Sequence, residues 1–182
     1  MPLEGTKNLT PSNWLEPDPP SLLCPRLKFA DVEIATPPWP QRLDIVLRPR
    51  LLETVPSDIV ALFETAQGAI AYGYFFYPLY TIGAFHLYRA LEAAFAVRAR
   101  AEGFAAKRAG LGKTLDWLMS KGVLSASARE SLEPLRKLRK EASHPDFQSL
   151  ITPGMTIALL DDIAGEINTL FGTAIDGRRA TE

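Results

Sequence analysis

Apolar residues recur at intervals of three and four positions through the last two-thirds of the chain, which is the spacing of one face of an α-helix. The first of these segments follows Pro56, and its apolar face predicts a helix that Ser57 or Asp58 caps and that ends near Gly73. A second segment begins at Pro78, a residue that suits the first turn of a helix. The chain therefore becomes helical at about residue 56.

The second predicted helix is the longest, extending from Pro78 to about Glu102 with Gly103 as its stop signal. Its apolar residues cover nearly all sides as far as Val97, which is typical of a helix that other helices surround. The most apolar neighbourhood, Ala66–Phe85, contains glycines and a proline, so we interpret it as buried helix and not as a membrane span. We expect this helix to be central, and we expect no membrane partner.

Three further helices are predicted after the second one. The third covers Lys113–Lys121 with Gly122 after it, and the fourth opens at Ser125 or Ser127. The fifth begins at Pro153, and it carries a regular apolar stripe of Thr156, Leu159, Leu160, Ile163, Ile167 and Leu170. Short loops between long helices predict an all-α fold, an up-and-down bundle of about five helices.

The N-terminal part has a different composition, since eleven of the fifteen prolines lie in residues 1–56. Proline is incompatible with a helical core, so we expect an extended arm. Two segments rich in branched residues, Leu27–Ile34 and Arg42–Arg48, could pair as a hairpin or lie as edge strands. Trp14 and Trp39 are expected to pack the arm onto the helices. The predicted organisation is a Pro-rich arm (residues 1–55), a helical bundle (56–172) and a flexible C-terminal tail (173–182).

Composition supports one globular domain with this appendage, because 182 residues with 47% hydrophobic content suffice for a single core. The N-terminus has no basic segment followed by an apolar run, so nothing indicates export. The single cysteine, Cys24, cannot form an internal disulfide, which fits a reducing compartment. We therefore expect a cytoplasmic protein.

The formal net charge of −1 conceals an uneven distribution of charge along the chain. His86–Pro145 contains twelve Lys/Arg and six Asp/Glu, a net +6, whereas Asp146–Glu182 contains two and six, a net −4. The middle of the chain is therefore a candidate anion-binding surface. The alternative is that these charges only solvate the outer faces of helices.

The basic segment "LRKLRKEASHPDF" (Leu135–Phe147) holds the candidate chemistry. Arg139 lies four positions after Leu135, so it falls on or beside the apolar stripe of the fourth helix and not on the outer face with Lys137. The residue before a proline is disfavoured in helical geometry, so Pro145 allows the chain to turn at His144. The ring of His144 can then approach the guanidinium of Arg139.

An arginine and a histidine at one helix end suit cleavage of a phosphodiester. Histidine transfers protons near neutral pH, and arginine binds a phosphate through two parallel hydrogen bonds and stabilises its transition state. In RNA the 2′-hydroxyl of the substrate is the nucleophile, so the reaction requires neither a metal nor a nucleophile from the protein. The sequence has only two histidines, one cysteine and no cluster with metal-ligand spacing, so we expect no metal and no cofactor.

Arg139, four intervening residues and His144 on the fourth helix of an apolar bundle resemble the Arg-x4–6-His motif of the HEPN superfamily (higher eukaryotes and prokaryotes nucleotide-binding domains). The resemblance covers residues 57–172. "LYRALEAAFAVRARAEG" (Leu87–Gly103) is similar to the second helix of that family, and "GKTLDWLMSKGVL" (Gly112–Leu124) to the segment after it. "HPDF", "TPGM" and "EINTLF" resemble the closing part of HEPN-like bacterial domains.

The resemblance implies a metal-independent endoribonuclease of a toxin, phage-defence or RNA-processing system, usually a homodimer with two motifs facing one cleft. Arg139 would bind the scissile phosphate and His144 would act as general base or acid. The residues expected to support them are Glu92, Arg136, Lys140 and Ser143. The implied partners are RNA or a nucleotide, a second copy of the chain, and an antitoxin or another protein.

Two other interpretations of the motif stay open. Catalytic HEPN domains often have Asn after the motif arginine, whereas this chain has Lys140, which favours a catalytically inactive module that binds nucleic acid or a protein. Alternatively, Arg139 and His144 only join helix ends, in which case either alanine variant should lose about 1–3 kcal/mol of stability.

Further polar and aromatic residues also have two interpretations each. His86, Arg89 and Glu92 lie at three-residue intervals and could line the cleft, with Glu92 orienting the motif, or could form an internal polar network. The tyrosines of the first interhelical region could stack on bases, but their density indicates core or dimer contacts: Tyr72, Tyr74, Tyr77 and Tyr80. Asp161 and Asp162 are expected on a solvated face.

Overall fold

The structure is a computed structural model that describes residues 5–23, 26–29, 32–35, 39–105, 110–124 and 151–172, with the backbone alone for residues 23, 26–29 and 32–35. This part of the chain is predominantly helical. The helices are α1 (Pro19–Leu23), α2 (Trp39–Leu47), α3 (Ser57–Tyr72), α4 (Pro78–Ala101), α5 (Leu111–Ser120) and α6 (Pro153–Gly172). Strands β1 (Arg26–Phe29) and β2 (Val32–Ala35) form an antiparallel pair.

Helices α3 and α4 pack closely because glycine lies where they touch. A Cβ atom added at Gly83 would lie 2.5 Å from the Cγ1 atom of Ile70 and 3.2 Å from the carbonyl oxygen of Ala66. Near the turn between the helices, a Cβ atom at Gly73 would lie 2.9 Å from the ring of Tyr80. These contacts pair the end of α3 with the start of α4, so the two helices run antiparallel.

Helix α4 is the centre of the fold, as its apolar pattern predicted, and it contacts α3, α5 and α6. Its buried residues point in several directions around the helix, and at most 4% of each side chain is exposed at Ala84, Leu87, Ala90, Leu91, Ala94 and Phe95. A helix that is buried on so many sides needs apolar residues at successive positions. One helix therefore carries most of the contacts that unite the others.

Helix α6 covers one side of α4. Every residue of its predicted stripe is buried, from Thr156 to Leu170. The helix begins at Pro153, as predicted, and the Thr152 hydroxyl accepts a hydrogen bond from the Met155 N–H at 3.3 Å. Asp161 and Asp162 lie on the exposed side, which confirms the prediction of a solvated face.

The predicted helix ends agree with the structure where glycine or proline marks them. Gly103 and Gly122 have φ angles of 91° and 69°, the left-handed region that favours glycine, and they follow α4 and α5. The predicted cap of the first helix is wrong, because the residue before α3 is Pro56 and neither Ser57 nor Asp58 accepts a capping bond there. The fourth predicted helix lies outside the described residues.

The prediction of a strand at Arg42–Arg48 is wrong, since most of this segment belongs to α2. Pro40 fits the first turn of a helix, and Arg42, Ile45 and Val46 lie on one buried face at helical spacing. The segment Leu27–Ile34 folds back on itself, with Leu27 opposite Ile34 in the register of β1 and β2. The pairing expected between the two segments is therefore absent from the described residues.

Two side-chain amides hold the chain between α2 and α3. The Gln67 amide donates hydrogen bonds to the carbonyl oxygens of Val46 at 3.1 Å and Pro49 at 2.9 Å. Asn168 of α6 donates to the carbonyl oxygen of Arg50 at 2.9 Å and accepts from the Leu52 N–H at 2.8 Å. The backbone N–H and C=O groups of an irregular segment lack partners within the segment, so these side-chain amides act as their hydrogen-bond partners.

Buried charged groups attach the N-terminal residues to the start of α4. The Asp18 carboxylate is fully buried and accepts hydrogen bonds from the backbone N–H groups of Tyr77 at 2.9 Å and Lys7 at 3.3 Å. The Arg42 guanidinium, 1% exposed, donates to the carbonyl oxygen of Ser21 at 3.3 Å and to the Tyr80 hydroxyl at 3.4 Å. Asp18 thus accepts a bond at the N-terminus of the longest helix.

The two tryptophans of this region have different environments. Trp39 stacks on Tyr74, with ring centroids 5.2 Å apart, and meets Phe75 edge to face at 4.8 Å, which confirms its predicted anchoring role. Trp14 is 59% exposed, so the same prediction is wrong for this residue. The segment that contains Trp14 is held by hydrogen bonds that Lys7 donates and that Asp18 accepts, and not by apolar packing of Trp14.

Candidate functional site

The motif residues Arg139 and His144 lie outside the described residues, as do Arg136, Lys140 and Ser143. Their mutual geometry and their catalytic and supporting roles stay predictions. Of the site residues predicted from the sequence, Glu92 is the one that the structure describes, and it is half-buried on α4. Within the described residues, the candidate site therefore consists of Glu92 and its neighbours.

Glu92 lies on the side of α4 that turns away from the core. Arg89, one turn earlier, is exposed, and Ala93 and Ala96 on the same side are half-buried. Positions 89, 92, 93 and 96 share this side because residues three and four apart are neighbours on a helix. Helix α4 thus has one partly open side, which carries two charged residues followed by two alanines.

An open cavity of about 420 Å³ lies against this side of α4. Among the described residues, its charged lining comes from Arg89 and Glu92, and its apolar lining comes from Leu62 of α3, Leu111 of α5, Ala93 and Ala96. Gly110 and Thr114, at the start of α5, also line it. Three helices that follow one another in the sequence therefore meet beside Glu92.

The position of α5 follows from its packing on α4. Thr114, Leu115 and Leu118 form its buried face. Gly110 precedes the helix with extended backbone angles, φ −66° and ψ 158°, and its carbonyl oxygen accepts a weak bond from the Thr114 hydroxyl at 3.4 Å. These contacts place the first turn of α5 at the edge of the cavity.

Arg89 and Glu92 do not form an ion pair with each other in the described structure, although they are one turn apart. Farther along the same helix, Arg98 and Glu102 do pair, with 3.0 Å between Nη2 and Oε1. Glu92 has an interaction with another residue. Arg89 is thus exposed at the cavity wall, whereas the Glu92 carboxylate is already engaged.

The predicted internal network of His86, Arg89 and Glu92 is not present as a direct chain of hydrogen bonds among the described residues. The Nδ1 atom of His86 is buried and has no hydrogen-bond partner in that part of the chain. The buried hydroxyl of Tyr88 also has none there, and burial raises the pKa of Tyr88 to about 12. The Tyr88 phenol therefore stays protonated at neutral pH and cannot act as a base.

The tyrosines between α3 and α4 are mostly structural. Tyr74, Tyr77 and Tyr80 are at most 9% exposed and contact neighbouring rings, which confirms the prediction of core contacts for them. Tyr72 differs because 60% of it is exposed.

Two kinds of residue in the described structure were not predicted from the sequence. The buried charges of Asp18 and Arg42 were missed, because their hydrogen-bond partners are distant in the sequence. Leu62, Leu111 and Thr114 were missed as cavity residues. Gly110, which precedes α5, was the one local signal of where that helix begins.

In the described ranges, no group of three or more His, Cys, Asp or Glu residues could hold a metal ion. No helix in these ranges is long and apolar enough to cross a membrane.

Comparisons with protein-family models, with curated proteins and with solved structures give no match for this chain.

Proposed function

We propose that this protein is a metal-independent endoribonuclease with a HEPN-like bundle, in which Arg139 binds the scissile phosphate of RNA and His144 transfers protons. The observation that carries the proposal is the spacing of Arg139 and His144, which are separated by four residues at the predicted end of a helix with proline next. The net charge of +6 over residues 86–145 supports an anionic substrate. The helical fold around α4 supports a bundle.

The proposed reaction needs no group beyond the substrate and these side chains. His144 removes the proton of the 2′-hydroxyl, whose oxygen attacks the adjacent phosphorus, and the bond from phosphorus to the 5′-oxygen breaks. The leaving 5′-oxygen receives the proton from the His144 imidazolium, so the products are a 2′,3′-cyclic phosphate and a 5′-hydroxyl. Arg139 stabilises the additional negative charge of the transition state. Arg136 and Lys140 would attract the RNA, and Ser143 and Glu92 would orient the reacting groups.

Cleavage of RNA by the purified full-length chain in the presence of a chelator tests this proposal. We expect 2′,3′-cyclic phosphate ends, and we expect His144→Ala and Arg139→Ala each to reduce the rate at least about 100-fold, as loss of a general acid or base does. Lys137→Ala is the matched control, because Lys137 lies two positions from Arg139 on the predicted outer face. Cleavage that is equally fast in His144→Ala, or the absence of cyclic phosphate ends, contradicts the proposal.

A second proposal is a catalytically inactive module that binds RNA or a protein through its basic face. Lys140 favours it, because catalytic HEPN domains often have Asn after the motif arginine. RNA binding should then weaken as salt rises, survive His144→Ala, and occur without cleavage. RNA binding that does not change with salt contradicts this alternative.

We also propose the assembly and the setting that the resemblance implies. A homodimer would bring two copies of the motif to one cleft, in a toxin, phage-defence or RNA-processing system with an antitoxin or another protein partner. If overexpression is toxic and Arg139→Ala relieves the toxicity, this would support a toxin or phage-defence system. Sedimentation of the purified chain as a monomer contradicts the shared cleft.

A further inference from the structure

The exposed apolar side chains of the described residues are concentrated in one part of the molecule. Nine large apolar residues are exposed in the described ranges, and four of them lie in residues 5–22 with a fifth at the end of α3. Each of the five is more than half exposed: Leu9, Trp14, Leu15, Leu22 and Tyr72. We call these five residues the apolar end, and large apolar side chains exposed together mark an interaction site.

A hydrogen bond joins the two parts of the apolar end. The hydroxyl of Ser21 donates to the carbonyl oxygen of Gly73 at 3.1 Å, which places residues 5–22 against the turn between α3 and α4. Leu22 and Tyr72 are the direct chain neighbours of these two residues, so they lie on either side of one hydrogen bond. The N-terminal segment and the end of α3 therefore contribute to the same end of the molecule.

The loop of the apolar end, residues 7–16, is closed by its own polar groups. The Lys7 ammonium donates to the carbonyl oxygens of Asn13, at 2.6 Å, and Glu16. The Asn13 amide donates to the carbonyl oxygen of Asn8 at 2.9 Å. Lys7 and Asn13 are half-buried, whereas the large apolar residues of the loop are exposed. The loop thus has a polar interior and an apolar exterior, the reverse of the usual arrangement.

These internal bonds suit a loop that a partner covers. Water satisfies the carbonyl groups of an exposed loop, but those groups need protein donors once the loop is buried. Here the Lys7 ammonium and the Asn13 amide already supply the donors, so a partner can cover the loop without leaving these carbonyl oxygens unpaired. The loop is also ordered before binding, which lowers the entropic cost of association.

The charges of residues 5–22 disfavour an anionic partner. Lys7 is the only basic residue of this segment, and two carbonyl oxygens already bind its ammonium. Glu16 is exposed, and its carboxylate repels RNA and acidic lipids. The surface that covers the apolar end is therefore expected to be apolar and not polyanionic.

We propose that the apolar end is the surface through which two copies of this chain associate. A two-fold axis brings the same patch of both copies together, and a patch of large apolar side chains is complementary to itself. Sixteen of residues 5–22 are at least partly exposed, and with Tyr72, Phe75 and Phe76 they approach the roughly 20–30 residues that one partner contributes to an interface. The inference rests on the homodimer proposed above and not on RNA cleavage.

Sedimentation equilibrium of the full-length chain over a range of concentrations tests the proposal. The parent should dimerise, and Trp14→Ser and Tyr72→Ser should each raise the dissociation constant about tenfold or more, as loss of an interface aromatic does. Leu52→Ser is the matched control, because Leu52 is 46% exposed but precedes α3, at the opposite end of that helix from Tyr72. It should dimerise as the parent does. Circular dichroism of each variant checks that the fold is retained.

Three results overturn the proposal: a parent that stays monomeric at every concentration, dimerisation of either Trp14→Ser or Tyr72→Ser as tight as that of the parent, or an equal loss in Leu52→Ser. A monomeric parent that binds phosphatidylcholine vesicles, with binding lost in Trp14→Ser, would assign the apolar end to a lipid surface instead. RNA cleavage that persists in a monomeric Trp14→Ser would contradict the shared cleft and leave this surface standing, so the two proposals can fail separately.

Discussion

The contact between α3 and α4 and the attachment of residues 39–55 show two different ways of holding a chain in place. The two helices satisfy their own backbone groups, so they need only apolar side chains and glycines that allow close approach. The irregular segment after α2 has backbone groups that no helix satisfies, and the amides of Gln67 and Asn168 supply their partners. The position of this segment therefore depends on polar side chains as well as on buried Val55, whereas the contact of the helix pair depends on the volumes of its side chains.

The largest expected effect is in the core. Phe95 of α4 is 1% exposed, and Phe95→Ala should lower the free energy of unfolding by about 3–5 kcal/mol, because it removes buried apolar surface and leaves a cavity. Urea unfolding measured by circular dichroism gives the value. Ile82→Ala is the control on the same helix, since Ile82 is 45% exposed and should change stability by about 0.5 kcal/mol or less.

The second prediction concerns the buried amide. Gln67→Ala removes two hydrogen bonds and leaves the carbonyl oxygens of Val46 and Pro49 without this donor, at an expected cost of about 2–3 kcal/mol in unfolding free energy. Asn168→Ala is the matched comparison, because it also removes two bonds but at a site that water can reach, so it should cost about 1 kcal/mol. Equal losses in the two variants would show that burial does not set the cost.

The third prediction concerns the buried carboxylate at the start of α4. Asp18→Ala removes the acceptor for the N–H groups of Tyr77 and Lys7 and should cost about 1–2 kcal/mol, the scale of a lost helix cap. Asp18→Asn keeps one oxygen and should lose less. Thermal unfolding of the two variants measures the difference, and an Asn variant as unstable as the Ala variant would argue against a capping role.

The smallest expected effect on stability concerns the partly buried carboxyl groups on the outer side of α6. Burial raises the pKa of Asp161 and of Glu166 above their ordinary values of 3.8 and 4.5, the charge of Asp162 raises both further, and Arg48 opposes the shift at Asp161. A carboxyl group with a raised pKa binds its proton more tightly in the folded state. Its ionisation therefore lowers stability as pH rises through the ordinary value and the raised folded value.

Replacing Asp162 with Asn should reduce the loss of stability that accompanies ionisation of Asp161 and Glu166. The gain at neutral pH is at most about 0.5 kcal/mol, because exposed charges are screened. Stability measured from below pH 4 to pH 7 should therefore fall less steeply in Asp162→Asn than in the parent. An unchanged pH profile would show that Asp162 does not influence its neighbours.

How much could be predicted from the sequence differs between the helices and the site. The ends of α4 and the stripe of α6 were predicted closely, because glycine, proline and apolar spacing act locally. Helix α2 was mistaken for a strand, because Arg42–Arg48 is rich in branched residues and only its contacts with α3 and α6 select the helix. The motif at Arg139 and His144 stays a sequence prediction; a cleft beside Arg89 and Glu92 was one of two interpretations, and its lining by Leu62 and Leu111 was not predicted.

The sequence by itself determined a helical protein with a central, mostly apolar helix, since a repeat of three and four positions is a property of neighbouring residues. Only the tertiary structure decided which charges are buried, which are paired, and where three helices leave a cavity. Asp18 and the Nη1 atom of Arg42 are buried beside hydrogen-bond partners distant in the chain, whereas the buried Nε and Nη2 atoms of Arg42 have no partner among the described residues. Arg89 and Glu92 acquire a shared cavity because α3 and α5 pack beside them. These properties depend on contacts between distant segments, and no local pattern encodes them.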